Sequence, residues 1–155
     1  MKTLAAARDR ESILNRLAAL RPDSTRQWGR MSPHQAICHL SDSFRVSLGL
    51  RDTKPVAASP VKRCLIKWAA LYLPLRWPKG IPTRPENDQF IGGSAPTSFE
   101  GDRRELAGLI NEFARPSAAL ASASHPLFGK IPAYQWLRWG YLHADHHLRQ
   151  FGVSF

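Results

Sequence analysis

His143 and His147 stand four residues apart in the stretch Tyr141-Leu142-His143-Ala144-Asp145-His146-His147-Leu148-Arg149-Gln150-Phe151. On an α-helix that spacing puts both imidazoles on one face, about one turn apart. Two imidazoles so placed can chelate one divalent ion. A pair is not yet a site, because a stable centre needs at least a third donor from elsewhere in the chain. His39 is the third ligand the sequence offers, midway along a helix expected to face the core. Three neutral imidazoles leave coordination positions open for water or substrate, the pattern of catalytic rather than closed structural centres. Such a donor set accepts several first-row ions, Zn²⁺ and Ni²⁺ among them.

Asp42 lies one turn beyond His39 and is the candidate catalytic acid or base. It is expected to hold a ligand imidazole by its second nitrogen or to take a proton from a bound water. Gln150, one turn beyond His147, reads either as a hydrogen-bond partner of that ligand or as helix-end packing. Spacing alone is a weak signal, since H-x-x-x-H arises by chance and the chain holds six histidines. The bland alternative is that all of them are satisfied core or surface residues. His146 points about 100° away from His147 on a helix, toward solvent or a subunit contact. His34 falls in an exposed first helical turn, and His125 precedes a proline in a turn. Asp145 faces away from the pair. Trp28, Trp136 and Trp139 read first as core residues and second as pocket walls.

The elements that must position these groups follow from apolar spacing and punctuation. Ile13, Leu14, Leu17 and Leu20 mark a first helix over residues 8–20, stopped by Pro22. Ser32-Pro33-His34-Gln35 is a capping box with proline at the first helical position, so a second helix runs from Pro33 to about Leu48. Val61 to Leu73 predicts a short, largely buried helix, its basic residues snorkelling to water. The alternative for Val61–Trp77 is an amphipathic segment lying on an anionic membrane. Residues 74–97, with five prolines and three glycines, read as a long irregular crossover. Phe99–Ala114 is helical by its Leu106, Leu109, Ile110 and Phe113 stripe. Small residues from Ser117 to Ser124 follow, and the last helix spans Pro132 to Gln150. No strand alternation stands out, so the expected fold is all-α: one domain over residues 1–155, a four-helix bundle with a short extra helix.

Composition narrows the class. At 155 residues the chain can bury one sizeable core, and 43% hydrophobic with 22% charged residues is ordinary for a globular protein. Cys38 and Cys64 are single and far apart, which reads as reduced thiols in a cytoplasmic protein. No apolar run is long enough for a transmembrane span. The net charge of +10 favours anionic partners, but no run of four basic residues marks a nucleic-acid groove. A homodimer stays open.

Two blocks also carry a resemblance. Trp28-Gly-Arg-Met-Ser-Pro-His-Gln-Ala-Ile-Cys-His39-Leu-Ser-Asp42-Ser-Phe is similar to the first metal-ligand segment of the DinB/YfiT-like superfamily. His125-Pro-Leu-Phe-Gly129, Gln135-Trp136 and His143-x-x-His146-His147-x-x-Gln150-Phe151 resemble one branch of it, a domain family of unknown function. The resemblance implies a four-helix bundle holding a divalent metal with His39, His143 and His147. Members resemble thiol-dependent S-transferases, an isomerase using a thiol cofactor, and hydrolases. The expected function is therefore a metal-dependent hydrolase or thiol S-transferase acting on a small, anionic substrate, with a low-molecular-weight thiol as second cofactor. The rival expectations are a non-catalytic metal or small-ligand binder in a stress response, and a basic protein that binds nucleic acid or membrane.

Overall fold

The structure is a computed structural model that describes residues 1–115, 120 and 123–154. Among the described residues its main α-helices are α1 (Ala7–Ala19), α2 (Pro33–Ser47), α3 (Pro60–Tyr72), α4 (Phe99–Phe113) and α5 (Ala133–Gln150). A 3₁₀ turn spans Pro85–Asn87 within the long crossover. The chain is mostly helical, as its periodicity predicts.

Local chemistry sets the helix starts. Ser32 Oγ accepts the Gln35 amide at 3.1 Å, and Gln35 Oε1 accepts the Ser32 amide at 2.9 Å, so the capping box is closed. Ser59 and Ser98 cap α3 and α4 in the simpler way, each accepting an amide from the first turn. Packing then does the rest. Helix α2 lies between α4 and α5, and α1 closes the ring by packing on both of these. Ile13, Leu17, Phe44, Leu106, Phe113, Trp136 and Leu148 fill the space between the four. Phe44 meets Phe113 edge-on at 5.0 Å between ring centroids.

Gly140 lets α5 come this close. A Cβ there would stand 2.7 Å from Phe113 Cε1 and 2.9 Å from Leu4 Cδ1. Alanine would gain about 1 kcal/mol of helix propensity but overpack a full core at about 1–3 kcal/mol. Gly140→Ala is expected to lower the melting temperature, and an unchanged or raised value would contradict the close approach.

Two expectations need correction. Residues 124–130 do not form a plain loop: Ser124–His125 pairs antiparallel with Gly129–Lys130 as a small hairpin of strands β1 and β2. Two-residue strands are too short to show alternation, which is why the sequence pattern misses them. Helix α3 is present but is not largely buried, since Leu71 alone of its residues is buried. It packs on α5 with one side and turns Val61, Leu65 and Trp68 outward. The small-residue stretch Ser117–Ser124 lies outside the described residues apart from Leu120, Ala123 and Ser124.

Candidate metal centre

The three histidines converge. His39 projects from the middle of α2, and His143 and His147 from successive turns of α5. Their ring centroids form a triangle with sides of 5.1, 4.7 and 5.0 Å. One ring nitrogen from each lies within 4.8 Å of the others, so the group can hold a metal ion.

Hydrogen bonds fix how two of these rings present themselves. His39 Nδ1 is 2.8 Å from the Asn87 carbonyl oxygen, which can only accept. Nδ1 therefore carries the proton and Nε2 keeps its lone pair. Gln150 Nε2 donates to the Trp28 carbonyl at 2.8 Å, leaving Gln150 Oε1 to accept from His147 Nδ1 at 3.0 Å. His147 thus also keeps its Nε2 lone pair. His39 Nε2 and His143 Nε2 are 3.1 Å apart, near the roughly 3.3 Å edge of a tetrahedron built on 2.0–2.1 Å metal–nitrogen bonds. His143 Nδ1 is buried with no hydrogen-bond partner.

Electrostatics favour neutral imidazoles here. Burial lowers the pKa of His39, and burial together with the neighbouring histidines lowers those of His143 and His147 well below the usual value. Neutral imidazole is the form that ligates metal.

Asp42 is not where the sequence puts it functionally. It is fully buried and makes no hydrogen bond to the three histidines. Its carboxylate accepts from Arg45, Arg51, Gln89 and both the amide and hydroxyl of Ser94. These bonds pin the crossover to α2. The crossover in turn presents the Asn87 carbonyl to His39, so Asp42 bears on the centre one step removed. The orienting group is a backbone carbonyl, which no side-chain pattern reveals.

Gln150 does make the bond to a ligand. Gly29, at φ 78°, allows it: a Cβ there would meet Gln150 Nε2 at 2.5 Å. His146 lies outside the triad and packs edge-on to Trp28 at 5.7 Å between centroids. Asp145 faces the other way, to Arg16 at 2.6 Å and Arg149 at 2.7 Å. His34 is only partly exposed and bonds Asp102 at 2.7 Å. The reason is that α4 packs over the first turn of α2, which helical phase alone does not show.

His34, Cys38 and Asp102 are a second group with metal-compatible spacing. Asp102 there is already engaged by the Thr97 amide and hydroxyl and by His34, and burial pushes the Cys38 thiol up to about 12. As built, this is a hydrogen-bonded tie between α2 and α4.

A half-open cavity of about 810 Å³ lies over the three histidines. Trp28, Trp77, Trp136 and Trp139 contribute to its walls, with Arg30, Arg76 and Arg84 as its cations. Trp136 and Trp139 are buried core residues as well, whereas Trp28 is only partly buried. Trp77 was not singled out by spacing, although it packs against both His143 and His146 at 6.0 Å. His125 keeps a turn role: its Nδ1 accepts the amides of Leu127 and Phe128 at 3.2 Å. Its Nε2 must then carry the proton, and His125 also lines the cavity. Burial lowers this histidine to about 3, so it is a neutral donor at ordinary pH.

A family model described as Protein of unknown function (DUF1569) matches residues 5–153, and the chain belongs to that family. No curated protein and no solved structure matches the chain.

Proposed function

We propose that this chain is a DinB/YfiT-type metal-dependent enzyme in which His39, His143 and His147 hold one divalent cation, Zn²⁺ or Ni²⁺, at the floor of the cavity. What carries this reading is the pair of fixed tautomers: Asn87 and Gln150 hold His39 and His147 with their lone pairs free beside His143. Orienting partners of this kind are the usual support of metal-ligating histidines. When bound, the ion supplies a Lewis acid that polarises an acceptor atom and acidifies a water or a thiol.

The protein's own groups do the remainder. The tryptophan walls exclude bulk water and hold an apolar body. Arg76, the lining arginine with no ion pair among the described residues, meets an anionic group, and the His125 Nε2–H offers one neutral donor to a substrate oxygen. Asp88 is the one carboxylate among the lining residues and pairs with Arg30 at 3.5 Å. The released proton therefore goes to solvent water rather than to Asp42. The reaction class is hydrolysis or thiol transfer on a small anionic molecule, with a low-molecular-weight thiol as the nucleophile in the second case. The cavity serves an enzyme or a small-ligand binder without turnover alike, and a substrate screen separates the two. The reduced Cys38 and Cys64 fit the cytoplasm.

Elemental analysis of untagged protein tests this. About one equivalent of metal per chain is expected in the wild type after reconstitution, and none in His39→Ala or His143→Ala. Wild-type protein that stays metal-free after reconstitution ends the proposal. Gln150→Leu is expected to keep the ion but weaken it roughly 10–100-fold in competition with a chelator. An unchanged affinity would reduce Gln150 to helix-end packing. Panels of thiol conjugates and esters then separate transfer from hydrolysis.

A further inference from the structure

Helix α3 is apolar on both sides. Ile66 and Ala70 face the cavity and Leu71 is buried, as a packed helix requires. On the other side Val61, Leu65 and Trp68, at i, i+4 and i+7, form a second stripe that is 69, 64 and 55% exposed. Leu75, Ile81, Phe90 and Ile91 of the crossover are exposed as well, the first three of them also lining the cavity. Seven of the ten large hydrophobics exposed among the described residues thus fall between residues 61 and 91. Exposed apolar side chains scattered singly need no explanation, but a three-residue stripe along the outer face of one helix marks an interaction surface.

The part of this segment before Glu86 is charged in one sense only. Residues 53–85 contain seven lysines and arginines and no aspartate or glutamate. Arg84 is spent on Glu86 and Arg63 on the Val56 carbonyl. Lys62, Lys67 and Arg76 make no ion pair among the described residues. Exposed Lys62 borders the outer stripe of α3, and half-buried Lys67 lies on the other side beyond the buried Leu71. An exposed apolar stripe on a helix with unpaired lysines and no acid is the pattern of a helix that lies in a membrane interface.

We propose that α3 and the crossover dock this protein on an anionic lipid surface. Val61, Leu65 and Trp68 enter the boundary between headgroups and acyl chains, and Lys62 and the snorkelling Lys67 meet the headgroup charge. No helix of the described residues is long and apolar enough to cross a membrane, so the contact is peripheral. A second copy of this chain is the poorer occupant, because a two-fold contact would press an acid-free basic segment against itself. Nucleic acid would satisfy the cations but leave the apolar stripe without a partner. Ile66, Leu73 and Trp77 of this segment also form part of the cavity wall, so docking surface and cavity share one structural element.

Sedimentation with phosphatidylcholine vesicles, with and without phosphatidylglycerol, tests the surface. Binding is expected only to the anionic vesicles, and it should weaken as salt is raised. The Trp68 emission should shift to the blue on binding. Leu65→Ser and Trp68→Ser, both surface changes that leave the core intact, are each expected to weaken binding by roughly tenfold or more. His143→Ala should bind vesicles like the wild type, so a failed metal centre and a failed docking surface give different results. Absence of binding to anionic vesicles at low salt would overturn the proposal, as would equal binding by the two serine variants. A dimer in light scattering that Leu65→Ser dissolves would overturn it too, by assigning the face to a second copy.

Discussion

Arg16→Met is expected to destabilise the protein by about 3 kcal/mol, far more than a typical single substitution. Arg16 is only 2% exposed, yet it carries a full charge. Its guanidinium bonds Asp145 Oδ1 at 2.6 Å, and two of its nitrogens donate to the Val153 carbonyl at 3.0 and 2.8 Å. One side chain from α1 thereby fastens both the back of α5 and the turn that follows it. Burial alone would push the Asp145 carboxyl up, but its bonds to Arg149 and Arg16 draw it below the usual range. Methionine fills most of the same space and removes these three bonds, leaving the Val153 carbonyl without its guanidinium donors in a partly buried position. Asp145 keeps Arg149, which limits the loss. Urea unfolding should show a lower midpoint at an unchanged slope. A loss below about 1 kcal/mol would mean that solvent replaces the guanidinium at little cost. Because α5 carries two of the three histidines, the effect of this anchor extends to the centre it supports.

The sequence was most readable where local chemistry and core packing agree. The Ser32–Gln35 box fixed the start and phase of α2, and that phase aims His39 inward. The His143–His147 spacing fixed a face of α5, and Gln150 one turn on completed it. Residues whose role depends on segments distant in the chain were not readable in this way. Asp42 has the right spacing for a partner of His39, but Gln89 and Ser94 of the crossover take its oxygens. The carbonyl that replaces it, from Asn87, has no side-chain signature. Helix α3 failed for a related reason: a helix apolar on both sides reads as buried, and only tertiary placement tells which stripe found a partner. The hairpin at His125 depends on a side chain accepting backbone amides of its own turn, a bond that competes with regular structure.

Stripping the proposed divalent ion is expected to leave a protein that is less stable at neutral pH and unusually sensitive to acid. A ligand that binds only the folded state contributes about 4 kcal/mol when present at a thousandfold excess over its dissociation constant, and a chelator removes that contribution. The acid sensitivity follows from the folded-state histidines. His39, His143 and His147 are held below the ordinary value of 6.5 by burial, and the latter two also by their histidine neighbours; His125 is lowered to about 3. A depressed folded-state pKa means that the unfolded chain binds more protons, so stability is complete above pH 6.5 and falls as pH drops below it. Each such histidine costs up to about 1.4 kcal/mol per pH unit until its folded-state value is reached. Urea midpoints of metal-free and Zn²⁺-loaded protein at about pH 7.5 and about pH 5 measure both effects. The metal-free midpoint should fall steeply between these values. The double variant His39→Ala/His143→Ala should respond to neither chelator nor Zn²⁺ and show a shallower acid decline, because two of the buried imidazoles are gone. A metal-free wild type as stable at about pH 5 as at about pH 7.5 would mean that the histidine cluster opens to water, and that the centre is not held in place by the fold.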